Sequence, residues 1–175
     1  MNTDDLVQIE LIRQLKARYL RGIDTKDWAL LEASFTPDAV ARYSGGKYSY
    51  EGRDSIMEFL RTSMGREDFL SCHRCSHPEI SIGPDGVTAA GTWALQDYVI
   101  VGEYDLVVHG AAFYTDEYRK VSEDGVAADP SGQWLISRTG YRRTFEQIFP
   151  QSSIDGLQLT ASWWGTDGQS TLPVA

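Results

Sequence analysis

The densest group of chemically active side chains lies between residues 72 and 77, in the sequence Cys-His-Arg-Cys-Ser-His. On a β-strand His73, Cys75 and His77 would share one face, as part of a zinc site. A structural zinc site usually takes a second ligand pair from a distant segment, but the only other histidine is His109 and no further cysteine exists. We therefore expect no metal and no cofactor, and we interpret the cysteines as small side chains that fill a strand.

A single histidine that faces a pocket favours general acid–base catalysis, because imidazole titrates near neutral pH. Such a base needs a carboxylate to orient it. Periodicity alone leaves that partner open, since Asp24 follows the first predicted helix and could instead cap the second one. Tyr19, one turn before Asp24, would by default be a core tyrosine whose hydroxyl has a partner.

A second carboxylate, Asp97, lies within the apolar stretch WALQDYVIV. Burying an acid there is costly unless it is paired with a cation. Arg143 is the expected partner, although Arg138 and Arg142 compete for that role. A carboxylate, an arginine, a histidine and tyrosines around one interior would form a site for proton transfer beside a carbonyl or hydroxyl.

Composition limits the partners that such a site could serve. The chain has 175 residues, which fits one domain, and its net charge of −9 repels nucleic acid backbones. No apolar run approaches the ~20 residues of a membrane-spanning helix, and the N-terminal sequence carries no basic leader. We expect a cytoplasmic protein that binds neither nucleic acid nor membrane.

The elements that must position these residues follow from the hydrophobic spacing. Apolar residues at intervals of three and four predict three helices, over residues 4–22, 27–34 and 54–64. A break at residues 35–38 precedes a short hairpin, and four long strands follow. The predicted strands cover residues 39–43, 48–50, 69–82, 87–101, 106–121 and 133–147. This order indicates an α+β domain in which a curved antiparallel sheet wraps over helices as a cone with an internal pocket.

The last part of the chain, residues 150–175, is rich in Gly, Ser and Thr, yet it contains Trp163 and Trp164. A purely solvated tail rarely carries two tryptophans. We predict a domain over residues 1–149, followed by an extension that docks on its own subunit or on a neighbour.

The order of elements resembles the SnoaL-like branch of the NTF2-like superfamily, which includes scytalone dehydratase, hexachlorocyclohexane dehydrochlorinase and ketosteroid isomerase. Local motifs sharpen the likeness, and together they closely resemble the bacterial bile acid 7α-dehydratases over about residues 9–149. The motifs are IRQLKARYLRGID at 12–24, YSGGK at 43–47, the stretch 73–82 with PEI, GAAFYTD at 110–116, and TGY at 139–141 followed by Arg143.

The resemblance implies roles for individual residues. Tyr19, Asp24 and His73 match the catalytic set of the family, while His77 falls at a variable position and is left out. Asp97 and Arg143 match its strand aspartate and late arginine, and Tyr43 matches its hairpin tyrosine. We expect Tyr43, Trp93, Phe113 and Tyr141 to line a pocket for a flat, apolar, polycyclic ligand.

The resemblance also implies a function. We expect a homotrimeric, cofactor-free dehydratase that removes water from a hydroxylated steroid-like substrate. Whether the substrate is free or a coenzyme A conjugate stays open at this point. An isomerase, a dehydrohalogenase and a non-catalytic binding module remain alternatives. Two departures from the family, an inserted loop between Val121 and Trp134 and the rewritten segment 74–77, lie where substrate shape could be recognised.

Overall fold

The computed structural model describes residues 3–173 and places three helices against one six-stranded sheet. The helices are α1 (Thr3–Thr25), α2 (Trp28–Glu32) and α3 (Arg53–Met64). The strands are β1 (Phe35–Tyr43), β2 (Tyr48–Glu51), β3 (Phe69–Ile82), β4 (Thr88–Val101), β5 (Leu106–Val121) and β6 (Gln133–Phe149). The predicted α+β cone is confirmed, and every predicted helix and strand is present.

The sheet order is β2-β1-β6-β5-β4-β3, so β3 to β6 form the predicted antiparallel meander. One pairing was not predicted, because β1 runs parallel to β6 and makes the sheet mixed. The second helix ends before residues 35–38 as predicted, but the predicted strand start at residue 39 is wrong, since β1 begins at Phe35. A register shift between Phe35 and Val40 accommodates Pro37, which has no amide hydrogen to donate to a ladder.

The helices bury their apolar stripes against the concave face of the sheet. Ile12 and Leu15 of α1, Leu31 of α2 and Ile56 of α3 are almost completely shielded from solvent. The second helix is shorter than predicted, and the Asp27 side chain caps it by accepting a hydrogen bond from the Leu30 amide at 3.0 Å. Sheet and helices therefore enclose one continuous core.

The segment after β6 makes few contacts with the rest of the domain. Trp163 is 55% exposed and Trp164 is 37% exposed, so neither is buried by its own subunit. The predicted docking of residues 150–175 on a neighbour stays a prediction, and residues 1–2 and 174–175 lie outside the described part of the chain. No helix in the described range 3–173 is long and apolar enough to cross a membrane.

The parallel pairing of β1 with β6 makes the first prediction. Arg42 lies opposite Gly140, and a Cβ atom on Gly140 would approach the Arg42 carbonyl oxygen to 2.4 Å. Gly140→Ala should therefore lower the free energy of unfolding by about 2–3 kcal/mol, because the strands must separate. Urea denaturation followed by tryptophan fluorescence measures this loss. Thr144→Ala, at an exposed position of the same strand, is the control and should change it by less than about 0.5 kcal/mol; equal effects would contradict the prediction.

Candidate active site

The end of α1 is joined to β3 by the carboxylate of Asp24. Its Oδ1 lies 2.6 Å from Nδ1 of His73 and accepts a hydrogen bond from the Ser71 hydroxyl at 2.8 Å. Its Oδ2 accepts a bond from the backbone amide of His73 at 2.9 Å. Asp24 therefore does not cap α2, as one interpretation of the sequence had it, and the predicted pairing of Asp24 with His73 is present.

This arrangement fixes the imidazole ring in one orientation. Because Nδ1 faces a carboxylate, Nδ1 carries the proton in the neutral ring and Nε2 is left with its lone pair. The His73 side chain is only 8% exposed, so its surroundings are largely protein. A histidine held in one tautomer, with its second nitrogen free, can accept a proton from a bound molecule.

His73 lies on the wall of a cavity of about 260 Å³ between the helices and the sheet. Five tyrosines dominate its lining, and apolar residues from α1, α3 and β4 fill most of the remainder. The lining consists of Tyr19, Ile23, Tyr43, Tyr48, Phe59, Leu60, Ser63, Met64, His73, Leu95, Asp97, Tyr114 and Tyr141. Tyr48 is 40% exposed and lies at the rim.

The cavity tyrosines present hydroxyl groups in a dry environment. The hydroxyls of Tyr19 and Tyr43 lie 3.3 Å apart, close enough for one to donate to the other. Burial is the main reason that the pKa values of Tyr19, Tyr43 and Tyr114 lie well above the ordinary tyrosine value. These phenols therefore stay protonated at neutral pH and can donate hydrogen bonds to a ligand oxygen.

The predicted partnership of Asp97 and Arg143 is present beside the histidine. Asp97 lies opposite His73 in the β3–β4 register, and its Oδ1 accepts a hydrogen bond from Arg143 Nη1 at 2.6 Å. Burial acts to lower the pKa of Arg143, but Asp97 outweighs it and raises the pKa above the ordinary arginine value. Arg138 pairs with Glu117 instead, at 3.4 Å.

Two predicted pocket residues do not line the cavity. Phe113 is 49% exposed on the outer face of the sheet, because alternation along β5 turns its neighbour Tyr114 inward. Trp93 is buried, but its indole nitrogen donates to the Tyr118 hydroxyl at 2.9 Å, and its ring borders a neighbouring groove that shares His73 with the cavity. Tyr141 and Tyr43 line the cavity as expected.

Sequence reasoning missed several lining residues, of which Tyr114 is the most important. The signal was available in the alternation of Tyr114, Asp116 and Tyr118, three residues of one β-strand face that are all buried. The adjacent pair Phe113 and Tyr114 offers an aromatic side chain to either face, so composition alone could not choose between them.

Neither segment expected to recognise substrate lines this cavity in the described structure. No residue of the loop 122–132 lines the cavity in the described structure; Gly125 instead packs against Pro37. His77 is exposed, has a φ of +49° and lies within a strand irregularity, so it does not share a face with His73 and Cys75. Within residues 3–173, no three His, Cys, Asp or Glu side chains lie close enough to hold a metal ion.

The chain is similar to known proteins in both sequence and fold. The family model for the SnoaL-like domain matches residues 4–140. The chain is similar to a scytalone dehydratase-like protein from Novosphingobium aromaticivorans, with a TM-score of 0.72 and 20% identity, over 84% of this chain and 91% of that chain. It is also similar to the LinA-type3 hexachlorocyclohexane dehydrochlorinase of Novosphingobium barchaimii, with a TM-score of 0.71 and 18% identity, over 89% and 98%.

A further solved structure, ActVI-ORFA from Streptomyces coelicolor, has a TM-score of 0.62 and 16% identity over 78% of this chain and 97% of that chain. At these identities the likeness to solved structures shows a shared fold. It does not show a shared reaction.

The two cysteines beside the site are predicted to differ in reactivity. Cys72 is exposed, whereas burial, the main cause, raises the pKa of Cys75 to about 11. Because the thiolate is the reactive form, iodoacetamide at about pH 7.5 should alkylate Cys72 at least about tenfold faster. Trypsin cleaves after Arg74, between the two cysteines, so mass spectrometry can follow each one. Equal rates in the native protein would contradict the burial of Cys75; in urea equal rates are expected.

Proposed function

The chain belongs to the SnoaL-like domain family, and we propose that it is a cofactor-independent lyase that removes water from a hydroxylated, steroid-like polycyclic substrate. The observation that carries this proposal is the Asp24–His73 pair on the wall of a cavity lined by tyrosines. The predicted SnoaL-like membership is confirmed, while the closer likeness to the bile acid 7α-dehydratases stays a prediction.

His73 acts as the general base in the proposed reaction. Its Nε2 takes a proton from a carbon made acidic by a neighbouring or conjugated carbonyl group, and the electron pair moves onto the carbonyl oxygen as an enolate. Collapse of the enolate then breaks the carbon–oxygen bond, and the hydroxyl leaves as water with a proton returned from the imidazolium. Asp24 transfers no proton; it holds the ring and stabilises the imidazolium, as the carboxylate of a catalytic triad does.

The tyrosines supply hydrogen bonds where negative charge develops. Tyr19 is completely buried and its hydroxyl is part of the cavity lining, so it can donate to the enolate oxygen or to the departing hydroxyl. A positioned donor is worth more in a water-excluded site than in water, because no solvent must reorganise when the charge appears. Asp97 and Arg143 hold the geometry of the wall or contact a distal polar group of the substrate.

Cavity size supports a partly enclosed polycyclic substrate. An apolar cavity of about 150 Å³ accommodates benzene, so about 260 Å³ encloses roughly two fused rings. The reacting rings would lie beside His73, and the remainder of a four-ring molecule would pass Tyr48 at the rim. The aromatic and aliphatic lining suits such a flat ligand, whereas a sugar would demand more polar partners.

We also propose that the protein is a homotrimer, as the family resemblance implies. Exposed apolar side chains on the outer sheet face and in the C-terminal segment support association, because a lone subunit would leave them in water. They include Tyr98, Phe113, Phe145, Ile148, Ile154, Leu157, Leu159, Trp163 and Leu172.

His73→Ala and Asp24→Ala should each lower turnover by at least about 10²-fold, the usual scale for loss of a positioned acid or base. The substrates to screen are 3-oxo-4-ene steroids with ring hydroxyl groups, and the rise of diene absorbance measures turnover. Product analysis distinguishes loss of water from isomerisation, and halogenated substrates test the dehydrohalogenase alternative.

His77→Ala is the matched control, because His77 lies four residues further along the same strand but is exposed. It should keep the wild-type rate, and circular dichroism should show that all three variants fold. Wild-type turnover by His73→Ala on a confirmed substrate would show that His73 is not the base. A protein that binds these steroids and converts none of them would be a binding module.

A further inference from the structure

A second group of buried charged and polar side chains lies next to the cavity and has no role in the reaction proposed above. Nζ of Lys16 on α1 lies 2.7 Å from Oδ2 of Asp116 on β5, and the two side chains are 1% and 0% exposed. Asp116 also accepts hydrogen bonds from the Thr139 hydroxyl at 2.7 Å and from the Tyr118 hydroxyl at 2.8 Å. The carboxylate is thus held from three sides.

The ammonium group of this pair lies directly over two cavity tyrosines. Nζ of Lys16 is 3.4 Å from the centre of the Tyr114 ring and 4.8 Å from the centre of the Tyr19 ring. Both rings line the cavity, whereas Lys16 itself does not. A ligand in the cavity would therefore meet the tyrosines, with the cation in contact with their ring faces.

Stability alone gives a weak reason for this pair. Removing two charges from water is costly, and well-packed apolar residues of similar volume often serve a core as well or better. An ammonium against an aromatic face does, however, draw electron density from the ring, and this attraction strengthens when water is excluded. A phenol polarised in this way becomes a stronger hydrogen-bond donor.

We propose that Lys16 is a positioning residue that strengthens Tyr114 and Tyr19 as donors to a developing oxyanion in the cavity. This role builds on the proposed elimination, in which an enolate oxygen forms beside the same tyrosines. Asp116 fixes the ammonium over the rings and supplies its counter-charge, and Thr139 and Tyr118 fix Asp116. The burial that keeps both phenols protonated also keeps them available as donors.

The test compares the binding of two ligands of the same shape, so it does not require a known substrate. 2-Naphthol has two fused rings and a hydroxyl whose ionised form, 2-naphtholate, resembles an enolate, and naphthalene lacks the oxygen. The variant is Lys16→Met combined with Asp116→Asn, which removes both charges without leaving one buried alone. Lys16→Gln with Asp116→Asn is a second neutral pair, in case the first does not fold. Arg13→Met, at an exposed position of the same helix, is the control.

Fluorescence titration should show that the neutral pair binds 2-naphthol about tenfold more weakly than wild type, because Tyr114 and Tyr19 become weaker donors to the ligand oxygen. Naphthalene binding and the melting temperature should stay close to wild type, and Arg13→Met should change neither affinity. On a confirmed substrate kcat should fall about tenfold while KM holds, because the tyrosines act on charge that appears only during the reaction.

Unchanged 2-naphthol affinity in the folded neutral pair would overturn the proposal, as would a wild-type protein that binds 2-naphthol no more tightly than naphthalene. A wild-type kcat in the neutral pair would mean that Lys16 has only a structural role. Absence of turnover on every substrate would instead count against the proposed elimination, while the naphthol comparison would still decide the role of Lys16.

Discussion

The carboxylate of Asp24 is the point on which the geometry of the site depends. It stands at the end of a long helix and binds the Ser71 hydroxyl, the His73 amide and the His73 ring on β3. These bonds set the position of α1 along the edge of the sheet and the direction of the imidazole together. One side chain therefore links the packing of the domain to the chemistry of its cavity.

Two other buried carboxylates follow the same logic, because each is paired with a cation inside the core. Asp97 is bound by Arg143, and Asp116 is bound by Lys16. The cavity between these pairs is lined mainly by aromatic and aliphatic side chains. Paired charges beside an apolar, tyrosine-lined wall create a site that can stabilise a new negative charge.

Much of this organisation could be predicted from the sequence. Helix and strand periodicity located every element, and strand β3 was placed with its observed limits, Phe69–Ile82. Identification of Tyr19, Asp24 and His73 required the family resemblance, because Asp24 alone was equally compatible with a helix cap. The structure pairs Asp24 with His73 and places Tyr19 and His73 on one cavity, and their roles in catalysis stay proposals.

Other features depended on information that local patterns do not contain. The parallel pairing of β1 with β6 joins segments about a hundred residues apart, and no turn between them reveals it. Phe113 and Tyr114 are adjacent aromatic residues that point to opposite faces of the sheet. The strand register places Tyr114, and not Phe113, on the cavity side. Lys16 and Asp116 are 100 residues apart in the sequence. The apolar stripe of α1 therefore could not indicate which carboxylate pairs with Lys16.

The central claim, that Asp24 holds His73 with Nε2 free to act as a base, can be tested most directly by NMR of ¹⁵N-labelled histidine. Correlations between ring nitrogens and ring protons report the tautomer, and comparison with His73→Ala assigns the signals. The structure predicts that neutral His73 in the wild-type protein is protonated on Nδ1, and that Asp24→Ala yields a mixture of tautomers. A wild-type His73 protonated on Nε2 would contradict the account, because the nitrogen assigned to proton transfer would have no lone pair.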